Sequence, residues 1–211
     1  MLAKSIPPPP RFVPPRSGVA VDLDAHLKAL PAKATGKGIY FADLFKLAEN
    51  KLSAEELAER AGVPHRRYVA FMDYPYADLM KITLEVAKVA YPKLSLGDAF
   101  RLMGRRAYVT MLSSHAGRVL LLSIDHDVER VFLISPKAYK LVLNFGRFQS
   151  ERIGERHVRI NFSAYPGFLE TYQVGVVEGV FEHFKIRGEV TLALTDIANG
   201  AFDVVWYPKD A

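Results

Sequence analysis

The residue types that could do chemistry are Ser113-Ser114-His115, Asp125-His126-Asp127, an arginine group around Arg101 and a crowd of late aromatics. A serine beside a histidine suggests a nucleophile and its base. Adjacent residues on a helix point about 100° apart, however, so Ser114 and His115 do not face each other. No nucleophile elbow or glycine-rich phosphate loop accompanies them. The six histidines, His26, His65, His115, His126, His157 and His183, form neither an i, i+4 pair nor an HExxH motif, so helix-based metal ligation has no local support. Asp125-His126-Asp127 is too compact for three side chains to converge easily on one ion, and His126 reads as a solvated loop histidine. The absence of cysteine excludes thiolate zinc sites, iron–sulfur clusters, cysteine nucleophiles and disulfides. The chain is therefore read as non-enzymatic, with no catalytic set, no metal and no cofactor.

Binding chemistry is better represented. Arg101, Arg105 and Arg106 crowd one helical segment, with Arg118 at its exit. Arg101 and Arg105 share a face at i, i+4 with no acid between them on that stripe, a set able to hold a phosphate-bearing ligand or an acidic partner. Arg147, Arg152, Arg156 and Arg159 dot a later hairpin, where Glu151 and Glu155 can neutralise them. Most of the late aromatics belong in a core. If a cavity exists there, the helix from Phe168 to Phe184 and the sheet line it, and Tyr165, Phe168, Tyr172 and Trp206 are the candidate ligand-binding residues.

These residues must be held by a fold. Seven of the 13 prolines precede residue 32, giving residues 1–35 the character of a stiff Pro-rich tail with a short strand and a helical turn over GVAVDLDAHLKALP. From Tyr40 to Ser114 the apolar spacing is helical. Ser53 with Glu56 and Ser95 with Asp98 read as capping boxes, Gly62 ends the first of these helices, and Tyr76 to Tyr91 forms a longer one. GRVLLLSI is ambiguous between strand and helix. DVERVFLI and SPKAYKLVLNF read as two helices, Ser135 capping the second and Pro136 opening it. RFQSERI and RHVRINFSA form one hairpin, and IRGEVTLALTDI and AFDVVWY a second around Asn199-Gly200, with the amphipathic helix GFLETYQVGVVEGVFEHF between them. Helices grouped first and antiparallel strands late define an α+β class, with residues 36–211 as one ligand-binding-like domain.

Leu52 to Phe71, LSAEELAERAGVPHRRYVAF, has the look of a DNA-reading helix-turn-helix. Its second helix would begin His65-Arg66-Arg67, suited to phosphate or guanine contact. Tyr68, Val69, Phe71 and Met72 then make that helix apolar around most of its circumference, so packing is the favoured reading and DNA binding the alternative. At 211 residues, half of them hydrophobic and about a quarter charged, the composition is that of a globular protein. A net charge of +5 permits an acidic partner without requiring one. No stretch has the apolar length of a signal-peptide core or a membrane span, so the expectation is a cytoplasmic protein.

Three segments carry a family resemblance. AGVPHRRYVAFMDYP, AYPKLSLGDAFRLMGRRAY and a late strand ending at Trp206 resemble a myxobacterial family of unknown function. Its two Tyr-Pro pairs and Leu-x-Gly-Arg helix stand here as Tyr74-Pro75, Tyr91-Pro92 and Leu102-Met103-Gly104-Arg105. More distantly, the FRLMGR helix and GVVEGVFEHF ahead of a closing hairpin are similar to the superfamily of heme–nitric oxide sensors, vinyl-reductase-type domains and TRAPP subunits. That resemblance implies helices and sheet around an apolar cavity for heme, a small molecule or an acyl chain, a signalling role, and a homodimer through helices. The heme branch also implies an axial histidine and a Tyr-x-Ser-x-Arg triplet. Ser135 stands near the axial position, and Ser163-Ala164-Tyr165-Pro166-Gly167 at the triplet contains no arginine, so heme is not expected.

Overall fold

The computed structural model describes residues 11–114, 117–118 and 127–208. The element order is α1 (Leu23–Ala29), β1 (Thr35–Lys37), α2 (Gly38–Ala48), α3 (Ala54–Arg60), β2 (Asp73–Pro75), α4 (Tyr76–Ala90), α5 (Leu96–Ser113) and α6 (Val128–Val142). β3 (Arg147–Gly154), β4 (His157–Ser163), a π-helical turn (Leu169–Gln173), α7 (Val174–Phe184), β5 (Gly188–Asp196) and β6 (Asn199–Trp206) complete it. The strands β3 to β6 form one antiparallel sheet in the order β3-β4-β6-β5. β1 and β2 make a separate two-stranded ribbon. The class is α+β, as the sequence implied.

Alternation in the sheet strands explains its one-sided burial. Val158, Ile160 and Phe162 of β4, with Phe202, Val204 and Trp206 of β6, point inward on every second position. Helices cover that face, and the buried residues of helices and sheet belong to one contiguous cluster. On the outer face Arg159 grips Asp203 through two bonds of 2.7 and 2.9 Å, and its guanidinium lies 4.7 Å over the Phe12 ring.

The N-terminal segment is fastened down along its described length. Val13 exchanges both backbone hydrogen bonds with Leu192 on the edge strand β5. Ser17 Oγ and the Gly18 amide both donate to the Asp98 carboxylate at the start of α5. The strand expected over GVAV is absent, because the pairing belongs to Val13 instead. Pro7–Pro10, His115 and His126 lie outside the described residues, as does most of GRVLLLSI.

Four other expectations are corrected. RRYVAFMDY forms no helix: the chain runs irregularly from Pro64 into β2, because Gly38 and Ile39 donate to the carbonyls of Met72 and Ala70 and hold it open against α2. DVERVFLI and SPKAYKLVLNF are a single helix, α6, with Pro136 inside it and Asp127 as its N-cap. The second hairpin turns at Ile197-Ala198, since Asp196 already pairs with Asn199. The Ser53–Glu56 capping box is complete. At Ser95 only the half in which the hydroxyl accepts from the Asp98 amide forms, because the Asp98 carboxylate turns to the Ser95 hydroxyl, Ser17 and Gly18.

Candidate functional site

A cavity of ≈ 120 Å³ lies between the inner sheet face and the helices. Five helices, the π-turn and the sheet contribute its walls. α4 supplies Tyr76, Leu79, Met80 and Thr83, and α5 supplies Ala107, Tyr108, Met111 and Leu112. α6 adds Phe132, Ser135, Ala138 and Tyr139, while Ile160 and Tyr165 come from the sheet side. Tyr172 and Gln173 of the π-turn and Val176, Val177 and Val180 of α7 close it, with Tyr40 of α2. Among the described lining residues none is Asp, Glu, Lys, Arg or His.

The helical repeat of α7 explains why this wall is apolar. Val176, Val177 and Val180 lie within about 100° of one another on the wheel, and Gly175 and Gly179 lie on the other side. That glycine side meets α5 at backbone distance. A Cβ on Gly175 would sit 1.9 Å from the Arg101 carbonyl oxygen, and one on Gly104 would sit 2.0 Å from that of Tyr172. The neighbour of the 175/179 pair is therefore α5 of the same chain.

The π-turn aims the polar side chains. Tyr165-Pro166-Gly167 wraps tightly, so that a Cβ on Gly167 would meet the Tyr165 ring at 2.1 Å. Phe168 then adopts φ 58 and ψ 57, a left-handed conformation uncommon for a bulky residue. It is held there by the Phe100 ring at 4.8 Å and the His26 ring at 4.3 Å, and His26 Nδ1 pairs with the Pro166 carbonyl at 2.9 Å. Burial lowers the His26 pKa against the raising effect of that bond, which makes the imidazole a neutral clamp.

At the polar end, Tyr139 Oη donates to Gln173 Oε1 at 2.5 Å, and Gln173 Nε2 donates to Tyr165 Oη at 2.7 Å. Tyr165 and Tyr76 share one further bond, their hydroxyls 3.2 Å apart. Burial pushes Tyr76 up to about 12 and raises Tyr139 and Tyr165 as well, Tyr165 by a wide margin. All three are therefore neutral phenols near neutral pH. Tyr108 lines the cavity too; its buried hydroxyl has no partner among the described residues.

Tyr165, Phe168 and Tyr172 thus line one space. Trp206 does not; its ring sits 5.7 Å from that of Phe132, which separates it from the cavity. Tyr40, Tyr76, Tyr108, Tyr139 and Gln173 were missed by sequence reasoning, because they lie on separate helices with no shared spacing. The arginines lie outside this space. Arg101 holds Glu178 of α7 through Nε, 2.9 Å from both oxygens, and through Nη2, and Arg105 bonds Glu178 and Glu182 at 3.0 and 2.9 Å. Arg106 pairs with Asp43 of α2 at 2.9 Å. Each of the three cations meets an acid of the same chain, which spacing along α5 alone did not reveal. Arg66 and Arg67 are exposed, and the segment that holds them forms no second helix, so the helix-turn-helix arrangement is not realised. Among the described residues no group of three or more His, Asp or Glu side chains could hold a metal ion, and no helix is long and apolar enough to cross a membrane.

A family model described as a protein of unknown function (DUF2378) matches residues 32–207. No curated protein sequence matches. Among solved structures, an H-NOX protein from S. oneidensis in the Fe(II)NO ligation state superposes with a TM-score of 0.67 at 17% identity, covering 82% of this chain and 99% of that one. The Fe(II) unliganded H-NOX protein from K. algicida gives 0.62 at 16% identity over 82% and 97%. A mutant of T. tengcongensis H-NOX gives 0.58 at 12% over 82% and 98%. At these identities the likeness is one of fold.

The heme that the sequence resemblance raised can be tested on the lining. The described walls offer no imidazole to ligate iron, and no cation to meet buried propionates. A tyrosine ligand would need to ionise, and burial opposes that at Tyr76, Tyr139 and Tyr165. The space is also close to that of an engineered apolar cavity of about 150 Å³ that holds benzene. These residues do not fit a heme.

Proposed function

The chain belongs to the DUF2378 family of proteins of unknown function, and from that premise and its H-NOX-like fold we propose a non-enzymatic sensor module that captures a small apolar molecule. The observation that carries this reading is the cavity: walled by α4, α5, α6, α7 and the sheet but partly open, apolar on most of its wall, and polar at one built end. Packed interiors leave few voids larger than a water molecule, so a space that admits a ring is a feature to be explained. Among the described residues the walls carry no ordered acid–base pair, which supports binding over turnover.

The reading extends to signalling through the α5–α7 seam. Ligand contacts on Tyr172 and Gln173 act on the π-turn, whose Tyr172 carbonyl abuts Gly104 of α5. A shift of the turn must therefore move α5 or be refused by it, which couples the cavity to the molecule's surface through packed backbone. A partner protein, or a second copy of the chain, would read that surface.

Native mass spectrometry of the full-length protein purified from its own host tests the proposal. The expected spectrum shows a small molecule retained under gentle ionisation and lost on unfolding. Protein that is repeatedly empty, and that gains no thermal stability from any apolar compound of ring size, contradicts it.

A further inference from the structure

We propose that the cavity selects an uncharged molecule of about one ring whose polar group is a hydrogen-bond acceptor without a proton, such as a ketone, ester or lactone carbonyl. This deepens the binding reading above and rests on it. The argument is a count of protons. Tyr139 gives its proton to Gln173 Oε1, and Gln173 Nε2 gives one to Tyr165 Oη. An amide nitrogen accepts nothing, so the remaining bond, between Tyr165 and Tyr76, uses one of their two phenolic protons. One O–H is left with no acceptor among the described residues. Turning the Gln173 amide over changes which tyrosine holds the spare proton but not the count, because Tyr139 then becomes the end of the chain. Tyr108 contributes a second O–H that is buried without a partner.

The cavity therefore holds two O–H groups with no described acceptor. A buried donor without a partner is unfavourable, and a bound acceptor relieves it. A carbonyl takes such a proton and adds none, whereas an alcohol brings a proton of its own that must in turn be placed on a tyrosine oxygen. Burial keeps Tyr76, Tyr108, Tyr139 and Tyr165 protonated, so the surplus persists across the neutral range. A carboxylate or an amine would be buried against walls that hold no described counter-charge. Size follows from the volume: ≈ 120 Å³ sits near the cavity of about 150 Å³ known to hold benzene.

The experiment is calorimetric titration of the full-length protein with four probes of one shape: acetophenone, benzyl alcohol, toluene and benzoate. Acetophenone is expected to bind tightest, toluene about tenfold more weakly for want of the acceptor, and benzoate not detectably. The Tyr76→Phe/Tyr108→Phe double variant, verified as folded by circular dichroism, is expected to shrink the acetophenone advantage over toluene to about twofold or less. Tyr108→Phe alone should unfold at the same temperature as the parent or higher, because it removes an unpartnered hydroxyl. Toluene or benzyl alcohol binding as well as acetophenone overturns the acceptor assignment, and benzoate binding best overturns the uncharged one; both leave the sensor reading standing. If no probe binds while native mass spectrometry finds a retained ligand, the present inference fails alone. If neither gives a ligand, both fail.

Discussion

The two sides of α7 are built on opposite rules. Toward α5 the helix is stripped to glycine, so that backbones touch, and the contact is locked by Glu178 between Arg101 and Arg105. Toward the sheet and α6 it carries Val176, Val177 and Val180, yet a void remains beside them. One helix thus has a face with no spare volume and a face with room for a ring. The contrast teaches that the cavity is not the product of loose packing in general, because the same element packs as closely as backbones allow on its other side.

The largest effect should come from the closed side. Gly175→Val drives a side chain into the Arg101 carbonyl and is expected to cost more than about 3 kcal/mol in urea unfolding, or to prevent accumulation of folded protein. Val177→Ala, on the open side of the same helix, should cost about 1–2 kcal/mol. Equal losses would erase the distinction between the faces.

Glu178→Gln comes next, at about 1–3 kcal/mol, since it leaves Arg101 and Arg105 without their shared carboxylate. Burial by itself raises the Glu178 pKa, but the hydrogen bonds and charges of Arg101 and Arg105 outweigh it and hold the carboxyl below the ordinary glutamate range. A depressed folded value means that its stability is present above that range and is lost as the pH falls through the folded value. Acid unfolding curves of the parent and Glu178→Gln should therefore converge at low pH. The raised phenols act with the opposite sign. Their contribution is intact below the ordinary tyrosine value of about 10 and declines above it, so alkaline unfolding should set in there, with Tyr139 and Tyr165 ionising only as the fold opens.

Ala138→Leu sharpens the comparison from the open side. It places three carbons into the void and is expected to change stability by less than about 1.5 kcal/mol while abolishing ligand retention in native mass spectrometry. The smallest effect belongs to Phe71, 77% exposed at the turn before β2. Phe71→Ser should alter stability by less than about 0.5 kcal/mol.

Much of the frame was legible in the residues. The hairpin strands, the Ser53 cap, α4 and its stop at Tyr91-Pro92 follow from local spacing and local bonds, which a sequence displays. Where tertiary contacts decided, local signals misled. RRYVAFMDY has helical spacing, but its apolar residues divide: Tyr68 stacks on Phe41 at 4.3 Å, while Phe71 and Met72 face water. No single helical face was ever buried, so the helix had nothing to stabilise it. Pro136 lacks an amide proton, and the single helix α6 continues through it because its remaining turns pack on β3 and the cavity. The site was the least legible part. Tyr165, Phe168 and Tyr172 lie near one another in sequence and were found together, whereas Tyr76, Tyr108 and Tyr139 converge only after three helices have docked. Trp206 was grouped with them for its indole, and Phe132 stands between it and the cavity.

Xenon-pressurised crystals of the full-length protein would examine the void itself. Xenon density bounded by Met80, Tyr139 and Val177, with the Tyr76–Tyr165–Gln173–Tyr139 chain intact beside it, is the result expected. Helices α4, α6 and α7 closed onto the sheet with no xenon between them would contradict the account at its centre.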